Sequence, residues 1–193
     1  MDIRYALRNI IVVLVGLGLI VLVIVLLVKG FSSGPSKPTH LVDVSKYADT
    51  PAVSTLLMDG PTNLDQDHYQ VKITVSNTTN EIDVIRGYQG SVIRSQTYVN
   101  NSSAYASFLQ SLQLLGFSKG TNSTVDYRGF CPTGDRYIYS FNDGQTDLFS
   151  YWSASCGGQG TFQGSAQPVR NLFERQINTQ DLVKITSGTN VTL

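Results

Sequence analysis

The sequence predicts an α+β protein in which an antiparallel sheet of about five strands carries one packed helix and follows one N-terminal transmembrane helix. Three observations lead to this fold class. Residues 10–28 form an apolar run without a charged side chain. Several later segments alternate apolar and polar residues, as half-buried strands do. Residues 101–115 instead repeat apolar residues at the spacing of an amphipathic helix.

Composition limits both the number of domains and the kinds of partner. The chain has 193 residues, and the polar part from residue 30 onward carries 11 basic and 13 acidic side chains. That part is long enough for one domain with a sizeable hydrophobic core, and it is too short for two such domains. Its near-neutral charge argues against nucleic-acid binding, which would leave a basic excess.

The apolar run at residues 10–28 has the length of a membrane-spanning helix, roughly 28 Å at 1.5 Å per residue. The short leading tail carries Arg4 and Arg8, which favours a cytoplasmic N-terminus and a C-terminal domain outside the cell membrane. A cleaved signal peptide is an alternative, although the run is longer than a usual signal core and no Ala-x-Ala site follows it. A buried soluble helix is a second alternative.

The chain therefore divides into four predicted regions. A cytoplasmic tail covers residues 1–9, the transmembrane helix residues 10–28 and a flexible linker residues 29–40. The linker is inferred from its glycine, proline and serine content, which favours a flexible or partly extended spacer. The extracytoplasmic α+β domain covers residues 41–193.

The domain is predicted to begin with a helix. Thr50 is followed by Pro51, which suits the first position of a helix. Residues 52–57 place apolar side chains on one side, and Gly60 followed by proline ends the segment.

A β-hairpin is predicted next. Residues 69–75 alternate apolar and polar side chains, and residues 81–88 return antiparallel after a loop. Pairing Val75 with Ile82 aligns the apolar faces but sets Arg86 opposite an apolar residue. Arg86 then either reaches outward at the sheet edge or lies beside a bulge at the next glycine.

A third strand and the clearest helix follow. The strand covers residues 91–99, and the helix runs to Leu115 with Asn101 or Ser102 as its cap. Gly116 ends the helix, since glycine accepts the left-handed conformation that often closes one. Five apolar side chains recur on one helical face: Tyr105, Phe108, Leu109, Leu112 and Leu115.

Two more strands and a short helix complete the predicted fold. Residues 136–141 and 146–153 flank a turn at Asp143 and Gly144, a pair typical of a type I′ hairpin turn. A last helix is expected near Pro168. Its apolar residues are expected to point inward: Val169, Leu172, Phe173 and Ile177.

The two cysteines are expected to form a disulfide. Cys131 and Cys156 each lie 12 residues from the nearer turn residue, so a regular hairpin places them opposite one another. The same register sets Tyr139 opposite Leu148 and puts Trp152 on the cysteines' face. The closed loop of about 26 residues stabilises the domain by roughly 3.5 kcal/mol. A zinc site and a reactive thiol are the alternatives, and a disulfide suits an oxidising compartment outside the cytoplasm.

Three motifs could carry chemistry, and each has a simpler structural interpretation. The glycines of residues 158–164 could bind phosphate, but no βαβ unit surrounds them, which favours turn glycines. Asn63, Asp65 and Asp67 have calcium-loop spacing, but the later positions lack the required glycine and glutamate, which favours a solvated loop. His68 is expected at an exposed strand position without a nucleophile motif. No catalytic residue, cofactor or metal site is therefore predicted.

Aromatic residues and sequons are candidates for surface recognition. Tyr88, Tyr127 and Tyr151 are candidate recognition aromatics, because tyrosine is enriched in binding hot spots. Aromatic residues at strand spacing are more simply explained as core. Five asparagines lie in Asn-x-Ser/Thr sequons, which matter only if the host glycosylates: Asn77, Asn100, Asn101, Asn122 and Asn190.

The outer domain also resembles a known group of proteins. The strings RGFCPTGDRYIYSF, WSASCGGQGTFQG and VRNLFERQI carry the resemblance, with GYQGSVI and NNSSAYASFLQSLQLLGF upstream. Together they resemble uncharacterised single-pass envelope proteins of Saccharibacteria-type candidate-phylum bacteria. The resemblance covers about Tyr69 to Ile177 and implies a bacterial membrane with an extracytoplasmic domain. That group has no known activity, so the resemblance implies no catalytic residue.

Two functions fit the sequence. The first is a membrane-anchored, extracytoplasmic interaction or structural module of the cell envelope, with an envelope protein or glycan as its partner. The anchor, the spacer and the lack of a catalytic motif favour it. The second is an envelope hydrolase acting on wall or glycan, which needs a cleft lined by converging polar groups with shifted pKa values.

Overall fold

A computed structural model describes residues 41–121, 126–158 and 160–191. They belong to a compact unit that spans His40–Leu193. Within the described ranges, no helix is both long and apolar enough to cross a bilayer. The predicted tail, transmembrane helix and linker, residues 1–40, lie outside these ranges.

The described part is an α+β fold built on a six-stranded antiparallel sheet in the order β4-β3-β2-β1-β5-β6. The strands are β1 Val53–Asp59, β2 Tyr69–Ser76, β3 Thr79–Arg86, β4 Ser91–Val99, β5 Arg136–Asn142 and β6 Asp147–Ala154. The α-helices in these ranges are α1 Ser102–Leu114, α2 Ala166–Glu174 and α3 Thr179–Thr186. The predicted α+β class is confirmed for this part, with six strands instead of about five.

One face of the sheet forms the hydrophobic core with the helices. Alternate residues of the central strands, such as Leu56 and Ile73, are fully buried there. Aromatic side chains join the layers, as Phe108 of α1 lies 5.2 Å from Phe173 of α2 between ring centres. The core therefore lies between the sheet and the helices, and the ends of the strands remain available for polar groups.

The first predicted helix is wrong, because these residues form the central strand β1. Leu56 and Met58 are fully buried, whereas Leu57 between them is half-buried on the other face. β1 pairs with β2 on one side and β5 on the other, so the sheet satisfies its backbone groups. A central strand carries apolar residues on both faces, and neighbouring apolar residues then imitate helical spacing.

The β2–β3 hairpin is confirmed, with a register two residues from the predicted one. Ile73 pairs with Ile82, and Val75 pairs with Asn80. An even shift keeps the same side chains on the core face. Arg86 is exposed, and its guanidinium carbon lies 6.0 Å from the ring centre of Tyr69. Of the two predicted arrangements, Arg86 therefore adopts the outward one.

Strand β4 and helix α1 agree with the prediction. Asn101 caps α1, since its side chain accepts a hydrogen bond from the amide of Ala104 at 2.9 Å. Gly116 has φ of 75°, as a glycine that closes a helix should, and the next residue Phe117 is fully buried. Four of the predicted inward residues of α1 are buried: Tyr105, Phe108, Leu109 and Leu112.

The β5–β6 hairpin is confirmed, but its register differs from the predicted one by three residues. Tyr139 pairs with Tyr151 instead of Leu148. An odd shift moves every side chain of one strand to the other face. Tyr151 therefore enters the core, while Trp152 pairs with Ile138 on the opposite face, which corrects the predicted placement of Trp152.

The turn of this hairpin accounts for the difference. Four residues, 143–146, connect the strands instead of two, and an irregularity next to Asn142 shifts the pairing again. Gly144 adopts a positive φ of 101°, which favours glycine as predicted. The Asp143 carboxylate accepts hydrogen bonds from two amides of the turn, at 2.9 and 2.8 Å, and so stabilises the longer loop.

The chain ends in two short helices. The predicted last helix is α2, which buries Val169 and Phe173, and Ile177 is buried just beyond it. The second helix, α3, was not predicted. It packs beside β3 and β4 with Leu182 and Ile185 buried.

Candidate functional site

Cys131 and Cys156 form the predicted disulfide, with Cα atoms 5.7 Å apart. Neither cysteine lies in a strand. Cys131 has a positive φ of 51°, and its carbonyl accepts a hydrogen bond from the amide of Gly134 at 3.1 Å. This turn brings Cys131 beside Cys156 although the predicted strand register was wrong.

Beside the disulfide, three ionisable side chains form a buried polar cluster of Asp59, His68 and Arg136. Asp59 ends β1, His68 directly precedes β2, and Arg136 begins β5. The carboxylate of Asp59 lies 2.8 Å from Nε2 of His68 and 2.9 Å from Nε of Arg136. All three side chains are shielded from solvent, and His68 is 0% exposed. The predicted exposed position of His68 is therefore wrong.

Arg136 connects the polar cluster to the segment around the disulfide. Its guanidinium donates to the backbone carbonyls of Gly60, Phe130 and Cys131 as well as to Asp59. Arginine presents several donors in a fixed planar arrangement, which suits such convergent acceptors. Removal of Arg136 would leave a buried carboxylate and several carbonyl groups without this donor.

His68 is enclosed between hydrogen-bond acceptors and an aromatic ring. Its Nδ1 lies 3.1 Å from the carbonyl oxygen of Pro61, while Nε2 faces the Asp59 carboxylate. Each ring nitrogen therefore lies next to an oxygen atom of the protein. Tyr88 stacks on the imidazole with ring centres 4.1 Å apart and planes 12° apart. His68 and Asp59 thus connect the start of β2 to the end of β1, and Tyr88 covers the imidazole.

The predicted recognition tyrosines lie in different surroundings. Tyr88 is 48% exposed, and its hydroxyl donates to the carbonyl of Asn63 at 2.9 Å. Tyr127 is half-buried, and burial together with the nearby charge of Asp59 raises the pKa of its hydroxyl. Tyr151 is only 5% exposed and packs in the core. Tyr88 and Tyr127 therefore lie near the polar cluster, and Tyr151 is not a surface residue.

The proposed calcium and phosphate motifs have structural roles. Asp65 accepts a hydrogen bond from the amide of Tyr88 at 2.7 Å. Among the described residues, no group of three or more His, Cys, Asp or Glu side chains is arranged to hold a metal ion. In the glycine-rich segment, the amides of Thr161 and Phe162 both donate to the carbonyl of Trp152 at 2.9 Å. This segment therefore satisfies the outer backbone carbonyl of Trp152 in β6.

Three of the sequon asparagines support the fold through their side chains. Asn77 donates to the carbonyl of Thr50 and Asn100 to that of Ser76, whereas Asn101 caps α1. A glycan is attached through Nδ2, the atom through which Asn77 and Asn100 donate, so a glycan on either would disturb its contact.

The opposite edge of the sheet, β4, differs from β6. Among the described residues, no segment pairs with its outer side. Val92, Ile93 and Val99 of this strand are exposed, and Val99 is 95% exposed. An uncovered edge presents unpaired backbone donors and acceptors, which proteins commonly protect with charges, proline or a covering loop.

A groove of about 230 Å³ lies between β4 and α3. Its lining residues are Arg94, Ser95, Gln96, Asp181, Lys184 and Ile185. Tyr98 donates from its hydroxyl to Asp181 at 2.9 Å, and burial together with the Asp181 charge raises the pKa of Tyr98 to about 12. Arg94 and Lys184 form no ion pair with another described residue. The groove therefore offers two available cations beside an uncovered strand.

A second groove lies between β5, β6 and α2. Arg170 of α2 stacks over the ring of Tyr137, with its guanidinium carbon 4.0 Å from the ring centre. Burial raises the pKa of nearby Glu174, and the charge of Arg170 opposes this effect. The Arg170 guanidinium is thus already engaged by an aromatic ring.

Sequence reasoning missed both the polar cluster and the β4 groove. His68 follows a polar loop, and its closeness to Asp59 depends on the pairing of β1 with β2. Residues 91–99 do not alternate strictly between apolar and polar side chains, and this pattern is only a weak indication that β4 is exposed.

Comparisons with known proteins do not identify a relative. No family model matches the chain, and no curated protein matches it at a significant level.

Proposed function

We propose that this protein is a membrane-anchored, extracytoplasmic interaction module of the cell envelope. The observation that carries the proposal is the uncovered edge of β4, where exposed apolar side chains lie next to a groove lined by two available cations. Such an edge is a ready surface for another extended chain. At the opposite edge, in contrast, the protein's own glycine-rich segment bonds to the backbone of Trp152.

The proposed location rests on two features of the chain. The apolar run at residues 10–28 is long enough for an anchor, and Arg4 and Arg8 precede it. The Cys131–Cys156 disulfide suits an oxidising compartment on the far side of that anchor. The tail, anchor and spacer would together hold the sheet outside the cytoplasm.

The alternative of an envelope hydrolase has less support. Its best candidate is the 2.8 Å contact between His68 and Asp59, which has the form of a general-base pair. His68 is fully buried under Tyr88, however, and its second ring nitrogen faces a carbonyl oxygen. A hydrolase would need these groups to reach a substrate, so the interaction module is favoured.

Topology is tested by a fusion of alkaline phosphatase, which is active only outside the cytoplasm, after Leu193 of the full chain. We expect activity from this fusion and none from a matched fusion before Met1. An inactive C-terminal fusion with normal expression would contradict the extracytoplasmic location.

The interaction role is tested in the same cells by a photo-crosslinking residue at Val99. The matched control is a crosslinker at Leu114, which is also strongly exposed but lies on α1. We expect discrete crosslinked products from Val99 and not from Leu114. Equal or absent crosslinking at the two positions would contradict a binding role for β4.

A further inference from the structure

The two edge strands of the sheet, β6 and β4, differ in the hydrogen bonds made by their outer sides. At the β6 edge, the amide of Trp152 donates to the hydroxyl of Thr161 at 2.9 Å, and its carbonyl accepts from the amides of Thr161 and Phe162. At the β4 edge, no described segment supplies such bonds, although β4 has nine residues. Among the described residues, the protein's own chain thus bonds to the β6 edge at Trp152 and supplies no such bond along the nine residues of β4.

We propose that β4 binds an acidic, extended peptide segment of a partner protein by strand addition. This inference rests on the proposed function and specifies the chemistry of its partner. The backbone of the peptide would pair with the outer side of β4 and continue the sheet. Its alternate acidic side chains would reach the groove that Arg94 and Lys184 line, and its apolar side chains would contact Val92 and Val99.

The charges of the groove favour an acidic partner. Arg94 donates from Nη1 to the carbonyl of Ser187 at 2.9 Å, which fixes the guanidinium beside β4 and leaves its other donors for a ligand. Lys184 is exposed on α3. Asp181 is the carboxylate that lines the groove, and its Oδ2 already accepts a hydrogen bond from the hydroxyl of Tyr98. Two cations therefore face one engaged carboxylate.

A second copy of this chain is a poorer occupant of the same edge. Antiparallel pairing of two β4 strands about Ser95 would set Arg94 opposite Gln96 and bring no carboxylate of β4 to either cation. Pairing of two β4 strands would therefore add no contact between oppositely charged β4 side chains, whereas an acidic peptide adds both backbone hydrogen bonds and such contacts.

The test uses the full chain in detergent micelles and a nine-residue peptide of alternating valine and glutamate, matched to β4 in length. A peptide of alternating valine and lysine is the control. We expect the glutamate peptide to bind and the lysine peptide to bind at least about tenfold more weakly, because the groove carries a positive excess. Backbone amides of residues 91–99 should exchange more slowly with solvent in the bound state.

Charge-reversal variants distinguish binding at the groove from general electrostatic attraction between the peptide and the protein. Lys184→Glu should weaken the glutamate peptide about tenfold and strengthen the lysine peptide. The matched variant Lys119→Glu makes the same charge change beside the β6 edge, where Lys119 accepts through its carbonyl from the amide of Gln163. It should leave both affinities within about twofold of the wild type. Thermal unfolding of each variant checks that the fold is intact.

Several results would overturn the inference. These are equal binding of the two peptides, no binding of either, an equal effect of Lys184→Glu and Lys119→Glu, and binding without slower exchange in β4. Concentration-dependent dimerisation with protected β4 amides in the absence of peptide would assign the edge to a second copy. The alkaline phosphatase fusion tests location separately, so a failed peptide experiment is distinguishable from a failed topology.

Discussion

Replacement of Arg136 by methionine should strongly destabilise the domain. Methionine retains an unbranched side chain of similar reach in the buried position, but it lacks the guanidinium. The Asp59 carboxylate then loses its 2.9 Å contact with Arg136, and the carbonyls of Gly60, Phe130 and Cys131 lose a charged donor. The strand ends and the segment around the disulfide are no longer held together by one side chain.

The expected cost follows from burial. Removal of one partner from a buried ion pair costs about 3–5 kcal/mol. Asp59 keeps its contacts with His68 and Gln70, so the expected cost lies at the lower end of that range. A domain of this size has a free energy of unfolding of about 5–15 kcal/mol, so the loss is a large share of it. Arg86→Met is the matched control. Arg86 is exposed and stacks on Tyr69 at 6.0 Å, so its replacement should cost less than about 1 kcal/mol.

Urea unfolding followed by tryptophan fluorescence measures both variants. The chain has one tryptophan, Trp152, and its ring centre lies 5.1 Å from that of Phe130, whose carbonyl accepts from Arg136. In the double variant Asp59→Asn with Arg136→Met, the buried carboxylate that loses its charged partner is absent. Its cost should therefore be smaller than the sum of the single costs by about 1–3 kcal/mol. A single-variant cost below about 1 kcal/mol, or additive costs, would refute the reasoning.

Three further predictions concern other parts of the domain. Reduction of the disulfide should lower the free energy of unfolding by about 3.5 kcal/mol, measured by urea unfolding with and without reductant; an unchanged midpoint would contradict a stabilising role. Burial raises the pKa of Glu174 in the folded state, so folding favours the protonated carboxyl group. The free energy of unfolding should therefore fall as the pH rises from the pKa of Glu174 in the unfolded chain through its raised pKa in the folded protein. In the Glu174→Gln variant, the urea midpoint should no longer fall with pH over this range. The same fall with pH in the variant and the wild type would contradict the role of Glu174. Gly120→Ala should cost about 1–3 kcal/mol, since the added Cβ would lie 2.4 Å from the ring of Tyr151, whereas Gly129→Ala meets no atom within 4 Å; equal melting temperatures of the two variants would argue against this contact.

Local signals in the sequence were sufficient for several elements. The strict alternation of β2, the capped amphipathic pattern of α1 and the glycine turn between β5 and β6 each depend on residues close in the chain. The disulfide could be predicted too, because both cysteines lie near the ends of one hairpin. The transmembrane helix at residues 10–28 and the cell location remain predictions from the same kind of local pattern.

Other features depended on contacts between distant segments. The apolar residues of β1 fit both the helical and the strand period, and only the position of β1 between β2 and β5 decides between them. Two extra loop residues and one irregularity reversed the faces of Tyr151 and Trp152, since a strand alternates with every residue. Alternation indicates which residues share a face, but not which face meets the core when the turn length is uncertain.

Local sequence patterns were enough to predict the α+β class, most of the elements and the paired cysteines, and they predict an anchor at residues 10–28, because periodicity, turn chemistry and spacing are local properties. The tertiary structure alone decided that Asp59, His68 and Arg136 share one buried cluster and that β4 is left at an uncovered edge beside two cations. Burial and strand order depend on which distant segments pack together, and no single segment of the chain contains that information.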